Sequence, residues 1–258
     1  MEEKNTNKIL IVVIIVLIFA FAGYVTYNIV SKKPETNSEG KVETNEAAKV
    51  EELNIKSNFI KELYEKISFK GVSCEPLEYN LKSDTLKVTD FTDAQKLLIT
   101  VANAKSYRIE EENGHNMISE KNMQEAFYDV FGKNVAYSTL MPKEGSDLCP
   151  VYIYNASKKA YIDQGACGNV CPVYQKEQLI KALKYSDKLE LYTASAFCGE
   201  SQETQGACFA DSNRTVEIGN QDVDLIQFKD KLPNYKYTLT YDEETGNYYY
   251  YSVEKISK

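Results

Sequence analysis

The stretch Tyr235-Lys236-Tyr237-Thr238-Leu239-Thr240-Tyr241, answered by Tyr248-Tyr249-Tyr250-Tyr251-Ser252-Val253, decides the fold. In its first half Tyr and Leu alternate with Lys and Thr, the period-two pattern of a strand with one apolar and one polar face. Asp242 to Asn247 separates the halves, and Gly246 and Asn247 there supply left-handed turn conformations, so the pair reads as a β-hairpin. Four consecutive tyrosines put rings on both faces of the second strand. That predicts cover on both sides, by helices on one and by side chains or a ligand on the other. The rings are expected to be core and half-buried packing, with a tyrosine-lined binding face as the alternative.

Upstream of the hairpin, Lys188 to Phe197, Cys208 to Asp211 and Thr215 to Ile218 read as strands, the last two joined at Ser212-Asn213-Arg214. Val151 to Tyr154 and Ala160 to Asp163 flank Asn155-Ala156-Ser157-Lys158-Lys159, a hairpin by its turn chemistry. Gln175 to Leu183 reads as a helix that buries Leu179, Ile180 and Leu183.

Three earlier helices are expected. The first runs from Lys49 to Phe69, with Leu53, Phe59, Ile60, Leu63, Tyr64 and Ile67 on one face. The second starts at the capping box Thr92-Asp93-Ala94-Gln95 and buries Ala94, Leu97, Leu98 and Val101. The third is capped by Ser119, buries Met123, Ala126, Phe127 and Val130, and stops at Gly132. Leu77 to Val88 reads as extended, with a turn at Asp84. The fold class is α+β, an antiparallel sheet with short covering helices.

Ahead of all this lies Ile9 to Val30, an apolar run without a charged residue. As a helix it reaches roughly 33 Å, enough to cross a hydrocarbon core about 30 Å thick. It is expected to be a single transmembrane helix embedded in the lipid bilayer, with Tyr24 and Tyr27 near the headgroup zone. The rival reading is a secretory signal cleaved after Ala22, since Ala20-Phe21-Ala22 has the small-x-small spacing; the apolar run through Val25, Ile29 and Val30 favours a retained anchor. Residues 1–8 then form a cytoplasmic tail, 31–48 a flexible polar linker, and 49–258 an extracytoplasmic domain with a candidate sub-boundary near residue 145.

Flanking charge does not orient the span, because Lys4 and Lys8 before it match Lys32 and Lys33 after it. Cysteine does. All six (Cys74, Cys149, Cys167, Cys171, Cys198 and Cys208) follow the run, and an even set behind a secretion element points to disulfides in an oxidising space outside the cell membrane. The formal net charge of −8 belongs wholly to that outer part, since two Glu and two Lys cancel in the first thirty residues. An acidic domain lacks the clustered Lys and Arg that nucleic acid requires, so no nucleic-acid partner is expected.

Six cysteines allow 15 pairings, so sequence alone leaves connectivity open. Cys198 and Cys208 flank a polar loop between two strands and are the first expected pair. Cys149 with Cys167, brought together by the Val151 hairpin, is the second, and Cys74 with Cys171 the third. An alternative sets Cys167-Gly168-Asn169-Val170-Cys171 apart as a thiol-disulfide site, although thioredoxin-type motifs space their cysteines by two residues, not three. A second alternative is a hydrolase of cell-wall glycan working through paired carboxylates. The sequence singles out no such pair among its 38 acidic residues, and the absence of Trp weakens a sugar-stacking cleft.

The lone His115 sits in the acidic run Glu110-Glu111-Glu112-Asn113-Gly114-His115 and reads as an exposed loop residue. There are no zinc-type CxxC pairs and no Gly-rich phosphate loop, so no catalytic residue, metal or cofactor is expected.

The tail Tyr235-Lys236-Tyr237-Thr238-Leu239-Thr240 with Gly246-Asn247-Tyr248-Tyr249-Tyr250-Tyr251-Ser252-Val253-Glu254-Lys255 resembles the closing hairpin of uncharacterised, singly anchored extracytoplasmic proteins of low-GC bacteria. The plan of anchor, tether and α+β domain is similar to theirs as well. The resemblance implies an address and an architecture; the function expected is binding or envelope association.

Overall fold

Twelve residues from Lys188 to Gly199 form a strand buried along nearly its whole length, and a strand buried on both faces has to be covered on both. The computed structural model describes residues 50–68, 85–104, 110–112, 114–141, 152–164, 173–199 and 206–256. The chain divides into two units, Met1–Asn45 and Glu46–Lys258, and every described element belongs to the second. The apolar run 9–30, the tail before it and the linker 31–48 lie outside the described residues. Among the described residues no helix is long and apolar enough to cross a membrane.

In chain order the elements are β1 (Glu51–Glu52), α1 (Asn58–Ile67), β2 (Thr85–Lys87), α2 (Asp93–Asn103), β3 (Glu110–Glu112), β4 (His115–Ser119), α3 (Glu120–Phe131), β5 (Tyr152–Asn155), β6 (Ala160–Asp163), β7 (Val173–Lys184), β8 (Lys188–Gly199), β9 (Ala207–Phe209), β10 (Glu217–Asn220), β11 (Asn234–Asp242) and β12 (Asn247–Ile256). Short 3-10 turns occupy Val88–Asp90 and Leu225–Phe228. A large antiparallel sheet runs β1-β7-β8-β11-β12-β2, with β9 on the end of β8 and β10 on β9. A second sheet runs β3-β4-β6-β5. The class is α+β.

One core lies between these sheets. α3 packs against β12 on one side and against β4 and β6 on the other, while α1 and α2 complete the helical layer. Ile60, Tyr64 and Ile67 of α1, Phe127 and Phe131 of α3, and Leu191, Tyr237 and Tyr250 of the large sheet meet there. Residues from both sides of position 145 share this core; position 145 itself lies outside the described residues. The opposite face of the large sheet carries a smaller core. Ala194, Ala196 and Cys198, small side chains at alternate positions of β8, let the 206–232 excursion approach closely, and Ile218, Leu225 and Leu232 close over them.

Local chemistry places the helices. Thr92 and Gln95 form the reciprocal capping box, with Gln95 N donating to Thr92 Oγ1 at 3.2 Å and Thr92 N to Gln95 Oε1 at 2.9 Å. Leu97, Leu98 and Val101 are buried, but Ala94 is only half-buried and Gln95 is inside. Ser119 caps α3 through Asn122 N, and Gly132 ends it at φ 73°. The Tyr152–Asn155 and Ala160–Asp163 hairpin forms as its turn chemistry predicts.

Several expectations are corrected. Gln175 to Leu183 is not a helix but the centre of β7. Its Gln, Lys, Glu and Leu favour helix intrinsically, yet the segment pairs with β8 over nearly its whole length, and that tertiary pairing outweighs local preference. The first helix is shorter than expected: Glu51–Glu52 pairs with β7, Leu53 N donates to Ala182 O, and Ser57 caps a helix that begins only at Asn58. Of the expected extended piece Leu77 to Val88, residues 85–87 are β2, Val88 opens a 3-10 turn, and 77–84 fall outside the described residues. The expected strands at Cys208 and Thr215 shift to Ala207–Phe209 and Glu217–Asn220, because the Asp211 carboxylate accepts from Thr215 N and Val216 N and holds that stretch as a turn. His115, exposed, begins a strand paired with β3 instead of lying in a loop.

The hairpin itself differs from expectation in two ways. Gly246 adopts the left-handed conformation at φ 71°, but Asn247 does not; it opens β12 opposite Asp242. Nor is β12 covered on both faces. Tyr248 and Tyr250 are buried, whereas Tyr249 is half-buried and Tyr251 is 43 % exposed. A register shift between Thr238 and Leu239 leaves Tyr251 without a partner on β11, and alternation along β12 puts its ring on the face opposite the buried Tyr250.

Candidate functional site

The uncovered tyrosines border a cleft of about 780 Å³, within the range of small-molecule and peptide sites. Beside it β2 pairs only with Ser252 to Glu254, and the chain enters a 3-10 turn at Val88. Lys87 to Thr89 line it, with Phe131, Gly132, Asn134 and Val135 at and after the end of α3, Tyr249 to Tyr251 of β12, and Thr240 to Glu244 where β11 ends and the hairpin turn begins.

Gly132 shapes this cleft as well as ending α3. A Cβ there would stand 2.9 Å from Cγ of Tyr249, so only glycine leaves room for the ring. The Tyr249 hydroxyl then donates to Thr245 Oγ1 at 3.2 Å. Asp242 Oδ1 accepts from Glu244 N at 3.0 Å and Thr245 N at 2.9 Å, which fixes the turn and leaves Glu243 and Glu244 exposed at the rim.

The large sheet also holds a buried carboxylate. Glu177 on β7 is 7 % exposed and accepts from Tyr64 Oη at 3.0 Å, Thr193 Oγ1 at 2.6 Å and Tyr237 Oη at 2.8 Å. These donors come from α1, β8 and β11, so a single side chain ties the helical layer to three strands. Burial, and then the Glu177 charge, push the Tyr64 and Tyr237 hydroxyls well above the usual phenol range. Tyr250 lines the cleft and also feels Glu177; burial raises it first and the carboxylate further.

The Tyr250 hydroxyl is buried and has no hydrogen-bond partner among the described residues. Leaving such a group unpaired costs about 1–3 kcal/mol. Tyr250→Phe is therefore expected to stabilise the fold by about 1 kcal/mol, read as a higher urea midpoint at unchanged slope; a lower midpoint would show that the hydroxyl has a partner.

A second carboxylate cluster lies on the polar face of the sheet. Glu190, 5 % exposed, receives Lys188 Nζ at 2.8 Å, Tyr192 Oη at 2.7 Å and Tyr185 Oη at 3.1 Å. Burial works to raise its carboxyl, but the Lys188 ammonium and the two hydroxyls outweigh it and hold it below the ordinary 4.5. With the folded value the lower one, the stability it contributes is complete above the unfolded value and is lost as pH falls through the folded value. Glu190→Gln is expected to flatten the fall in urea midpoint below about pH 4.5. An unchanged acid limb would remove Glu190 from the cause.

Of the expected sulfur pairs, Cys198 and Cys208 are joined. They face each other across β8 and β9, with Cα atoms 4.1 Å apart and both residues fully buried in the smaller core. Cys74, Cys149, Cys167 and Cys171 lie outside the described residues, and with them the expected pairs Cys149–Cys167 and Cys74–Cys171 and the Cys167/Cys171 thiol-disulfide site. Among the described residues no group of three or more His, Cys, Asp or Glu is arranged to hold a metal ion. Sequence reasoning missed Glu177 entirely, since it sat inside the segment read as a helix.

No protein-family model matches the chain, and no curated protein or solved structure does either.

Proposed function

We propose that the chain is a single-pass membrane-anchored protein whose outer α+β domain binds a ligand in the tyrosine-bordered cleft beside β12, and that catalysis is not its role. The observation that carries the binding reading is the cleft itself, about 780 Å³ with Tyr249 and Tyr251 at its border and a glycine kept small to seat one of those rings. Aromatic rings left half-exposed around a concavity supply contact area at low entropy cost, and their hydroxyls supply polarity. Ile9 to Val30 supports the anchor by its length and freedom from charge. The buried Cys198–Cys208 bond supports an oxidising compartment, and with it an N-terminus inside and the domain outside. The resemblance of the C-terminal hairpin to anchored extracytoplasmic proteins of low-GC bacteria supports the same address.

Two measurements on the full chain in living cells test this. Protease added outside intact cells digests the domain while a cytosolic control survives; protection of the domain would overturn the address. Photoactivated p-benzoylphenylalanine in place of Tyr251 gives a discrete crosslinked species that is absent when the same group replaces Lys121, exposed on α3. No species at position 251 would overturn the cleft as the binding surface.

A further inference from the structure

We infer that the occupant of this cleft is an extended basic polypeptide segment that adds a strand to the outer edge of β12; the inference rests on the cleft being the binding surface proposed above. β12 runs ten residues, from Asn247 to Ile256, yet β2 pairs only with Ser252 to Glu254. Residues 247–251 therefore have no strand on their outer side among the described residues. Backbone donors and acceptors along such an edge are a template for another strand, and strand addition is a recurrent mode of peptide recognition.

The cleft lies along that uncovered edge. Five residues of strand span about 17 Å, so the edge presents a short pairing segment, not an extended sheet border. Gly132, Asn134 and Val135 line the cleft together with that edge.

Charge selects the sign of the occupant. Asp242, Glu243 and Glu244 close one end of the cleft and Lys87 stands at the other, so three acidic side chains face one basic one. Tyr251, 43 % exposed, offers a ring face to Lys or Arg side chains, and a cation over a tyrosine ring adds to the Coulomb attraction. A strand with Lys or Arg over the hairpin turn pairs its backbone with β12 and its charge with Glu243 and Glu244. The chemistry is that of a basic extended segment of another protein.

The test uses the full chain in nanodiscs of uncharged phosphatidylcholine and a labelled nonapeptide alternating Lys and Val. Three changes are expected to weaken binding at least tenfold each: Glu in place of Lys in the peptide, N-methylation of alternate peptide amides, and the variant E243K/E244K. The same variant is expected to bind the Glu peptide more tightly than the parent chain does. Equal binding of the parent and N-methylated peptides would overturn strand addition. Failure of the Lys peptide to bind while the Tyr251 crosslink persists would overturn this inference and leave the cleft a binding surface; loss of that crosslink would remove both. A crosslink at position 251 joining two copies of the chain would overturn it in favour of self-pairing.

Discussion

Glu177→Ala is expected to lower the unfolding free energy by about 3–5 kcal/mol, because it removes the shared acceptor of three buried hydroxyls and each such loss costs about 1–3 kcal/mol. The substitution strips the acceptor from Tyr64, Thr193 and Tyr237, which are 5 %, 0 % and 0 % exposed and so gain no water in exchange. Glu177→Gln keeps an acceptor oxygen and is expected to lose less than half as much. In a double-mutant cycle, Tyr237→Phe made on top of Glu177→Ala should cost less than Tyr237→Phe alone, because its partner has already gone. Urea unfolding followed by tyrosine emission reads all of these, since the chain holds 20 Tyr and no Trp. An alanine variant within about 1 kcal/mol of the parent would mean that the carboxylate does not hold the layers together.

The second large effect concerns the Cys198–Cys208 bond, whose sulfurs are separated by ten positions in sequence. In the chain-entropy model a loop of that length stabilises by about 2.5–3 kcal/mol. C198A/C208A is expected to lose that amount, which is about 5–12 °C in melting temperature for a domain near 200 residues. The loss should be uneven. The smaller core rests on Ala194, Ala196, Cys198 and Cys208, and the 206–232 excursion is otherwise held by polar ties to β7. Lys176 Nζ donates to Gln221 O at 2.7 Å and Val223 O at 2.6 Å, and Gln178 joins Asp224 and Leu225 N at 2.8 Å each. Amides of 206–232 should therefore exchange hydrogen earlier than those of β8 and β11 in the variant. Uniform acceleration across the domain would show that the bond acts on the whole fold.

The parts of this fold that sequence foretold are those written in local chemistry. Thr92 with Gln95, Ser119 with Asn122, Gly132 and the β5–β6 turn each settle their structure within a few residues, and each is where its pattern put it. β7 was illegible for the opposite reason. Leu179, Ile180 and Leu183 sit at helical spacing, and only the pairing with β8, plus a bulge between Leu179 and Lys181, makes the segment a strand. Glu177 was invisible in consequence, since a carboxylate inside a presumed amphipathic helix reads as solvated. β3 and β4 did carry a signal: Asn113-Gly114 is strong hairpin chemistry, which the surrounding run of glutamates obscured.

The cleft was half legible. Four tyrosines in a row put rings on both faces, which reads as a strand covered on both with a tyrosine-lined face as the alternative; the exposed Tyr251 departs from the first expectation. Which rings, and why, depended on the slip at Thr238 and Leu239 and on the brevity of β2, neither of which leaves a trace in composition.

The strand order β1-β7-β8-β11-β12-β2 has a consequence for biogenesis. The two strands translated last of all the elements stand between β8 and β2, so β2 waits through the synthesis of some 160 residues before its neighbour exists. Until that final hairpin is made, the β8 border of the nascent sheet stays open, a surface prone to pairing with other chains during synthesis.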